Sequence, residues 1–401
     1  MDIDDRVYRR LAKALDGLPN GFPPTESGIE IEILKWMFTP EQAEIAGLLD
    51  AMPASQEEIA ARLESDRATS ADVATSADAV AGADAVAGAD AVVGTDAVAG
   101  AGPAVAATLD LSRKLREMRK RGLIWPIPTD GGSFAYRLAP FVVGIYEAQV
   151  ETMDHRLAHL VDEYFNQGGL AGMMRLQPSV HRVVPAHGSV KSEWVLPYDD
   201  VRSLLLQAKS FRVIDCICRK QQSLVGKGCD KPIRMCLSFS PASSPTGSPA
   251  GPYSISQEEA LAVLDRAEEV GLVHTVSNVA KGVNYVCNCC GCCCGILRGI
   301  TQFGVADSVA HANYLAKVDA AACTGCGTCT TRCQVGAITL NGDGVAVVDE
   351  ERCIGCGLCA SGCPDGAATL EFKPADQIVE PPADFGAWQK ERVRRRGGGR
   401  E

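Results

Sequence analysis

The sequence predicts a multidomain α+β protein, and three observations predict it. Helical patterns with capping signals run from residue 28, and two short apolar strand-like runs flanking a Gly-rich turn follow them. A middle stretch mixes helix and strand patterns. All 18 cysteines then fall at or after Cys216, in four blocks. The 401 residues suffice for roughly two to four domains with buried cores.

The first elements lie within residues 28–66. Ile31, Ile33, Leu34 and Met37 supply apolar contacts to a first helix. Thr39-Pro40-Glu41 opens a second, with Pro at its first position. Ser55, with Glu58 three residues on, makes a capping box for a third helix through Ile59, Ala60 and Leu63. A basic helix spans Leu109 to Arg121. Leu123-Ile124-Trp125 and Phe134-Ala135-Tyr136-Arg137-Leu138 then flank Asp130-Gly131-Gly132 as a hairpin. Helix, helix, basic helix, hairpin is the order of a winged helix-turn-helix, so 1–66 with 109–140 are expected to form a winged-helix-like domain.

Residues 67–108 interrupt it with a six-residue repeat. Asp78, Asp84, Asp90 and Asp96 recur in step with Gly82, Gly88, Gly94 and Gly100. This period fits neither a helix nor an amphipathic stripe, and small side chains bury little area, so a disordered insert is expected. A hexapeptide β-helix is the sharper alternative, but it needs larger apolar residues.

Residues 141–317 read as a helical linker and a cysteine-rich middle domain. One long helix is expected from Phe141 to Phe165, ended by Gly168-Gly169. A helix near Asp199–Ala208 and a strand at Phe211–Ile214 follow, and Ser256 with Glu259 caps another helix that stops at Val270-Gly271. Residues 374–401, Pro-rich and then Arg-rich, read as a flexible tail.

Composition narrows the function. A formal charge of −11 argues against nucleic acid as the main partner and suits docking to a basic redox partner. No apolar block is long enough to span a bilayer. The acidic start Met1–Asp5 has no apolar signal core, so a soluble, cytoplasmic protein is expected. Cysteines crowded into late blocks fit metal or iron–sulfur ligation better than a disulfide scaffold.

Two runs carry the strongest signal: Cys323-x-x-Cys326-x-x-Cys329-x-x-x-Cys333 and Cys353-x-x-Cys356-x-x-Cys359-x-x-x-Cys363-Pro364. Two-residue spacing lets a tight loop present three thiolates to one cubane, and Gly325, Gly327, Gly355 and Gly357 let the backbone pass close to it. Loop amides can donate to the sulfurs. In two-cluster proteins the fourth cysteine of each run serves the other cluster. Cys323, Cys326, Cys329 and Cys363 are therefore assigned to one [4Fe–4S] cluster, and Cys353, Cys356, Cys359 and Cys333 to a second. Zinc is disfavoured, because its sites pair two C-x2-C units.

Residues 318–373 thus resemble the bacterial two-[4Fe–4S] ferredoxin family. Val335-Gly336-Ala337-Ile338 and Asp365-Gly366-Ala367-Ala368 follow the runs at equivalent places. Gln334 departs from the family, which usually has Pro there.

Ten cysteines remain: Cys216, Cys218, Cys229 and Cys236, then Cys287, Cys289, Cys290, Cys292, Cys293 and Cys294. In an extended segment alternate side chains face opposite ways, which pairs Cys287 and Cys289 with Cys293, and Cys290 and Cys292 with Cys294. Gly291 bends the chain and spoils strict alternation. Two sites, or one site with spare thiols, are open. One or two further iron–sulfur clusters are expected, with zinc, redox-active thiols or unligated cysteines as alternatives. Arg219 and Lys220 either stabilise thiolate charge or form a solvated face. The segments together look like a group of prokaryotic, largely uncharacterised 4Fe–4S binding proteins, a resemblance that implies cluster binding and no substrate.

The expected function is electron transfer through iron–sulfur clusters to a partner oxidoreductase, as a carrier or as an oxidoreductase subunit. A redox-sensing transcription regulator is the alternative, with Arg113, Lys114, Arg116, Arg119, Lys120 and Arg121 facing DNA. No dinucleotide fingerprint or phosphate loop is present, and the six histidines show no metal spacing.

Overall fold

The computed structural model describes residues 3–78, 103–191, 195–241 and 253–397. The chain divides into two compact units, Met1–Leu18 with Glu30–Gln149 and Pro19–Ile29 with Val150–Glu401.

The first unit begins with α1 (Ile3–Gly17), where the sequence reading placed no element. Its Tyr8, Leu11 and Leu15 follow helical spacing and are buried. Next come α2 (Ile29–Met37), α3 (Pro40–Ala46) and α4 (Gln56–Asp78). Thr39 caps α3 and exchanges hydrogen bonds with Gln42. Ser55 caps α4, its hydroxyl accepting from the Glu58 amide at 3.2 Å while Glu58 Oε2 accepts from the Ser55 amide at 2.7 Å. Helix α5 (Pro103–Lys120) leads into β1 (Ile124–Pro128) and β2 (Phe134–Leu138), an antiparallel hairpin. Ala54 and Tyr136 exchange backbone hydrogen bonds of 2.8 Å, tying the hairpin to the segment before α4.

The flanks of the expected insert 67–108 are helical. Residues 67–78 continue α4 and 103–108 belong to α5, because Ala-rich flanks have high helix propensity. Residues 79–102 lie outside the described residues.

The basic side chains of α5 are drawn largely into local contacts. Arg113 pairs with Asp110 and Glu117, and Lys114 with Asp110. The Arg119 guanidinium stacks 4.1 Å above the Phe134 ring, and Arg121, just past the helix, donates to the Met37 carbonyl.

The expected helix 141–165 is broken. A π-type turn at Phe141–Ile145 contains non-helical residues, α6 covers only Tyr146–Ala148, and α7 starts afresh at His155–Asn166. Pro140 precedes the turn, and Asp154 caps α7 by accepting from the Leu157 amide at 2.8 Å.

After α7, the second unit adds α8 (Gly169–Met174), β3 (His181–Val184), α9 (Val201–Gln207), β4 (Ser210–Asp215), α10 (Ile217–Leu224), β5 (Arg234–Ser240), β6 (Ser254–Ile255), α11 (Gln257–Glu269), β7 (Val273–Ser277), β8 (Tyr285–Cys289) and α12 (Gly295–Thr301). Six strands form one antiparallel sheet, in the order β3-β7-β8-β5-β4-β6. Leu205, Phe211, Leu237, Leu264, Val276 and Val286 make its core. The capping box expected at Ser256 and Glu259 starts α11.

The chain continues through β9 (Tyr314–Val318), α13 (Thr328–Arg332), β10 (Ile338–Leu340), β11 (Ala346–Val348), α14 (Leu358–Ser361) and β12 (Ala368–Phe372). Strand β9 pairs with β12, and β10 with β11. The stretch expected to be a flexible tail instead contains α15 (Phe385–Gly397). Trp388 and Arg392 lie one turn apart on it and are buried. The Arg392 guanidinium donates to the carbonyls of Pro19 (2.6 Å), Met173 (2.9 Å) and Pro178, which fixes the helix to its own unit.

Candidate functional site

Each cysteine run folds as a tight loop closed by one short helix. Gly327 and Gly357 adopt left-handed φ values of +75° and +72° immediately before α13 and α14. A Cβ on Gly325 would lie 2.6 Å from the Gly344 carbonyl oxygen, and one on Gly355 would lie 2.5 Å from that of Tyr314. Only glycine lets the loops turn this tightly against neighbouring backbone.

The loops enclose two small cavities. Cys323, Cys326, Cys329 and Cys363 line one, with Val318, Leu340, Ala346 and Ala367. Cys333, Cys353, Cys356 and Cys359 line the other, with Ala316, Val335, Ile338 and Leu370. Each cavity takes three cysteines from one run and the fourth from the other. Backbone amides point at the sulfurs: Ala337 donates to Cys333 Sγ at 3.1 Å, Ala368 to Cys363 Sγ at 3.4 Å and Ala346 to Cys323 Sγ at 3.5 Å. Such bonds stabilise thiolate over thiol. Burial pushes the Cys359 thiol up to about 12 and Cys356 also upward. Four sulfurs around an apolar, amide-lined hollow suit iron–sulfur ligation, in which metal replaces the proton.

A family model described as a 4Fe-4S dicluster domain matches residues 316–370. The C-terminal segment is a 4Fe–4S ferredoxin-like domain. No curated protein and no solved structure matches the chain.

The middle-domain cysteines pack in the same unit as the ferredoxin-like domain, and the structure divides them into two groups. Cys216 caps α10 and Cys218 sits in its first turn. Cys236 lies on β5, Cys287 and Cys289 end β8, and Cys294 caps α12. Their thiols form a closed ring of side-chain partners, in the order Cys216, Cys236, Cys287, Cys289, Cys294, Cys218 and back to Cys216. The other group is Cys229, Cys290, Cys292 and Cys293, whose sulfurs all lie within 4.8 Å of one another.

Parity places Cys287 with Cys289 and Cys290 with Cys292, as the sequence reading expected. It fails at the last two positions, where Cys293 joins Cys290 and Cys294 joins the ring. Strand β8 ends at Cys289, and the turn that follows at residues 291–293 breaks the alternation.

Arg219 lies between the groups and is 2 % exposed. Its Nη1 donates to the Asn288 carbonyl at 2.8 Å and stands 4.0 Å from Cys290 Sγ. Its Nε and Nη2 are buried without a hydrogen-bond partner among the described residues. Burial opposes its charge, but the sulfurs of Cys216, Cys236, Cys290 and Cys289 outweigh that and raise its pKa. Hydrogen bonds from Cys218 and Cys236, with Arg219 adding to them, hold the Cys216 thiol well below the ordinary range. Arg219 is thus a buried countercharge and not a solvated face. Lys220 turns away, donating to the Val150 carbonyl at 2.5 Å.

The middle-domain block also touches the ferredoxin-like domain directly. The Gly291 amide donates to Gln334 Oε1 at 3.0 Å, and a Cβ on Gly291 would lie 1.8 Å from the Gln334 carbonyl oxygen. Gln334 follows Cys333. The residue that departs from the family pattern is therefore the one that meets the second cysteine block, a role no sequence signal carried. Arg332 adds to this contact, donating to the carbonyls of Glu268 (2.7 Å) and Glu269 (3.0 Å) at the end of α11.

Proposed function

We propose that this protein transfers electrons through two [4Fe–4S] clusters, one held by Cys323, Cys326, Cys329 and Cys363 and the other by Cys353, Cys356, Cys359 and Cys333. The ten middle-domain cysteines supply at least one further metal or cluster site. The observation that carries this reading is the exchange of fourth cysteines, which gives each cavity four sulfurs drawn from both runs. When bound, each cluster supplies one-electron chemistry. The chain's residues grip it, exclude water and set its potential through amide–sulfur bonds.

The direct contact between Gly291 and Gln334 supports a relay between the middle domain and the second cluster. With no nucleotide, flavin or substrate signature in the sequence, the reading is a carrier or subunit that passes electrons to a partner oxidoreductase. The helices and hairpin of the first unit serve as a winged-helix-like platform. Local pairing of Arg113, Lys114, Arg119 and Arg121 favours a protein-binding role over DNA reading.

Cys326→Ser and Cys356→Ser test the assignment. Each should lower iron and acid-labile sulfide by about one cubane per chain and weaken one set of paramagnetic signals on reduction. Unchanged iron and spectra in both variants would refute it.

A further inference from the structure

We propose that Cys229, Cys290, Cys292 and Cys293 hold a single tetrahedral thiophilic ion, iron or zinc, distinct from any sulfide-bridged cluster. This deepens the middle-domain part of the proposed function by naming which cysteines bind what.

The spacing of the sulfurs decides between one ion and a cluster. A tetrahedral ion with metal–sulfur bonds of about 2.3 Å holds its four sulfurs about 3.8 Å apart. A cubane carries its irons at separate corners and spreads the same four thiolates to about 6 Å. Here Cys229 lies 4.0 Å from Cys290 and 3.6 Å from Cys293, and Cys292 lies 3.7 Å from Cys293. No pair in the group exceeds 4.8 Å. The cavities of the ferredoxin-like domain are built differently, with apolar side chains lining them beside the four cysteines, and among the described residues their cysteines form no group this close.

Local structure brings these four residues together. The turn at 291–293 folds Cys292 and Cys293 back on Cys290, and Thr301 Oγ1 secures it by donating to the Gly291 carbonyl at 2.8 Å. Cys229 arrives on the loop after α10, where left-handed Gly226 (φ +73°) ends the helix. Cys290 and Cys293 are buried against Met235, Ala267 and Leu272, while Cys292 is exposed and leaves a route for the metal.

Charge agrees with geometry. Four thiolates around a divalent ion carry a net charge of about −2, and the buried Arg219 guanidinium stands 4.0 Å from Cys290 Sγ with two nitrogen atoms lacking a partner among the described residues. Tetrahedral S4 donor sets select zinc or iron over harder ions.

The test uses the full chain, purified anaerobically, with metal and acid-labile sulfide counted per chain. Cys292→Ala should lose one metal equivalent and no sulfide, and it should keep the reduced-cluster paramagnetic signals. Loss of sulfide together with several irons would overturn the proposal in favour of a cluster, and an unchanged metal count would also overturn it. A second measurement needs no variant: Co2+ exchanged into the wild-type chain should give the intense visible bands of tetrahedral cobalt–thiolate. Their absence would overturn the proposal even if the variant fails to fold. In Cys326→Ser and Cys356→Ser the single ion should remain, so failure of the two-cluster reading and failure of this one are separately visible.

Discussion

Gly291→Ala probes the contact between the middle-domain cysteines and the ferredoxin-like domain. The φ of Gly291 lies outside the left-handed region, so the backbone itself accepts alanine and the cost comes from contact. The new Cβ would stand 1.8 Å from the Gln334 carbonyl oxygen, so the segments must part by about 1.6 Å to reach ordinary contact. The obstacle is backbone on both sides and cannot rotate away. Overpacking of this kind costs about 1–3 kcal/mol. The separation also stretches the Gly291–Gln334 hydrogen bond, worth about 1 kcal/mol. A loss of about 2–4 kcal/mol is expected, read as a lower denaturant midpoint under anaerobic conditions. Gln334→Ala, which removes only the acceptor side chain, should cost about 1 kcal/mol. Gly342→Ala is the control: nothing lies within 4 Å of its Cβ, and its effect should stay under about 0.5 kcal/mol. If Gly291→Ala proved as mild as Gly342→Ala, the close approach and the relay argued from it would both be wrong.

Acid sensitivity should trace in part to His181. Burial lowers its pKa from 6.5 to about 3, so between these values the unfolded chain holds a proton that the folded chain does not. Its contribution to stability is intact above pH 6.5 and is lost as pH falls, at about 1.4 kcal/mol per unit. His181→Gln should flatten the fall in denaturant midpoint between pH 7 and pH 5, and equal slopes in the two proteins would contradict this. Arg392→Ala should destabilise the second unit by about 3 kcal/mol, since three carbonyls, two of them buried, lose their donor. Hydrogen exchange of α15 should rise with it, and unchanged protection there would count against the docking of this helix.

What could be read from the sequence depended on how local the determinant was. The capping boxes read at Ser55 and Ser256 involve residues three apart, and with the Thr39-Pro40 start they open helices where the sequence put them. The spacing of the two cysteine runs is local too, and it fixes which thiols share a cavity once the interleaving rule is known. The expected helix 141–165 overlooks the non-helical backbone of Val142, Val143 and Gly144 and the Asp154 cap that restarts the helix. Helix α15 escapes a sequence reading because Arg-rich composition reads as solvated, whereas Arg392 is held by carbonyls of Pro19, Met173 and Pro178, at least 214 residues away in every case. The partner of Cys290 is beyond a local reading for the same reason: Cys229 is 61 residues distant.

The block Cys287-Asn288-Cys289-Cys290-Gly291-Cys292-Cys293-Cys294 shows how adjacent thiols are kept apart. On β8 the side chain of Asn288 points away from Cys287 and Cys289, donating to the Met235 carbonyl and bonding His274 Nδ1 at 2.6 Å. Its own carbonyl accepts from Arg219, so the residue that separates two ring cysteines also anchors the countercharge beside Cys290. Past Cys289 the strand ends, and Cys290 falls into the apolar pocket shared with Cys293. The Cys294 amide donates to the Cys290 carbonyl at 3.1 Å, which closes the turn and sets Cys294 at the N-terminus of α12, facing Cys218 and Cys289. A uniform strand would send three cysteines to each face, and a uniform helix would smear six thiols around its axis. Strand, turn and helix start in succession instead send three to the ring and three to the group with Cys229, with the buried Arg219 beside both.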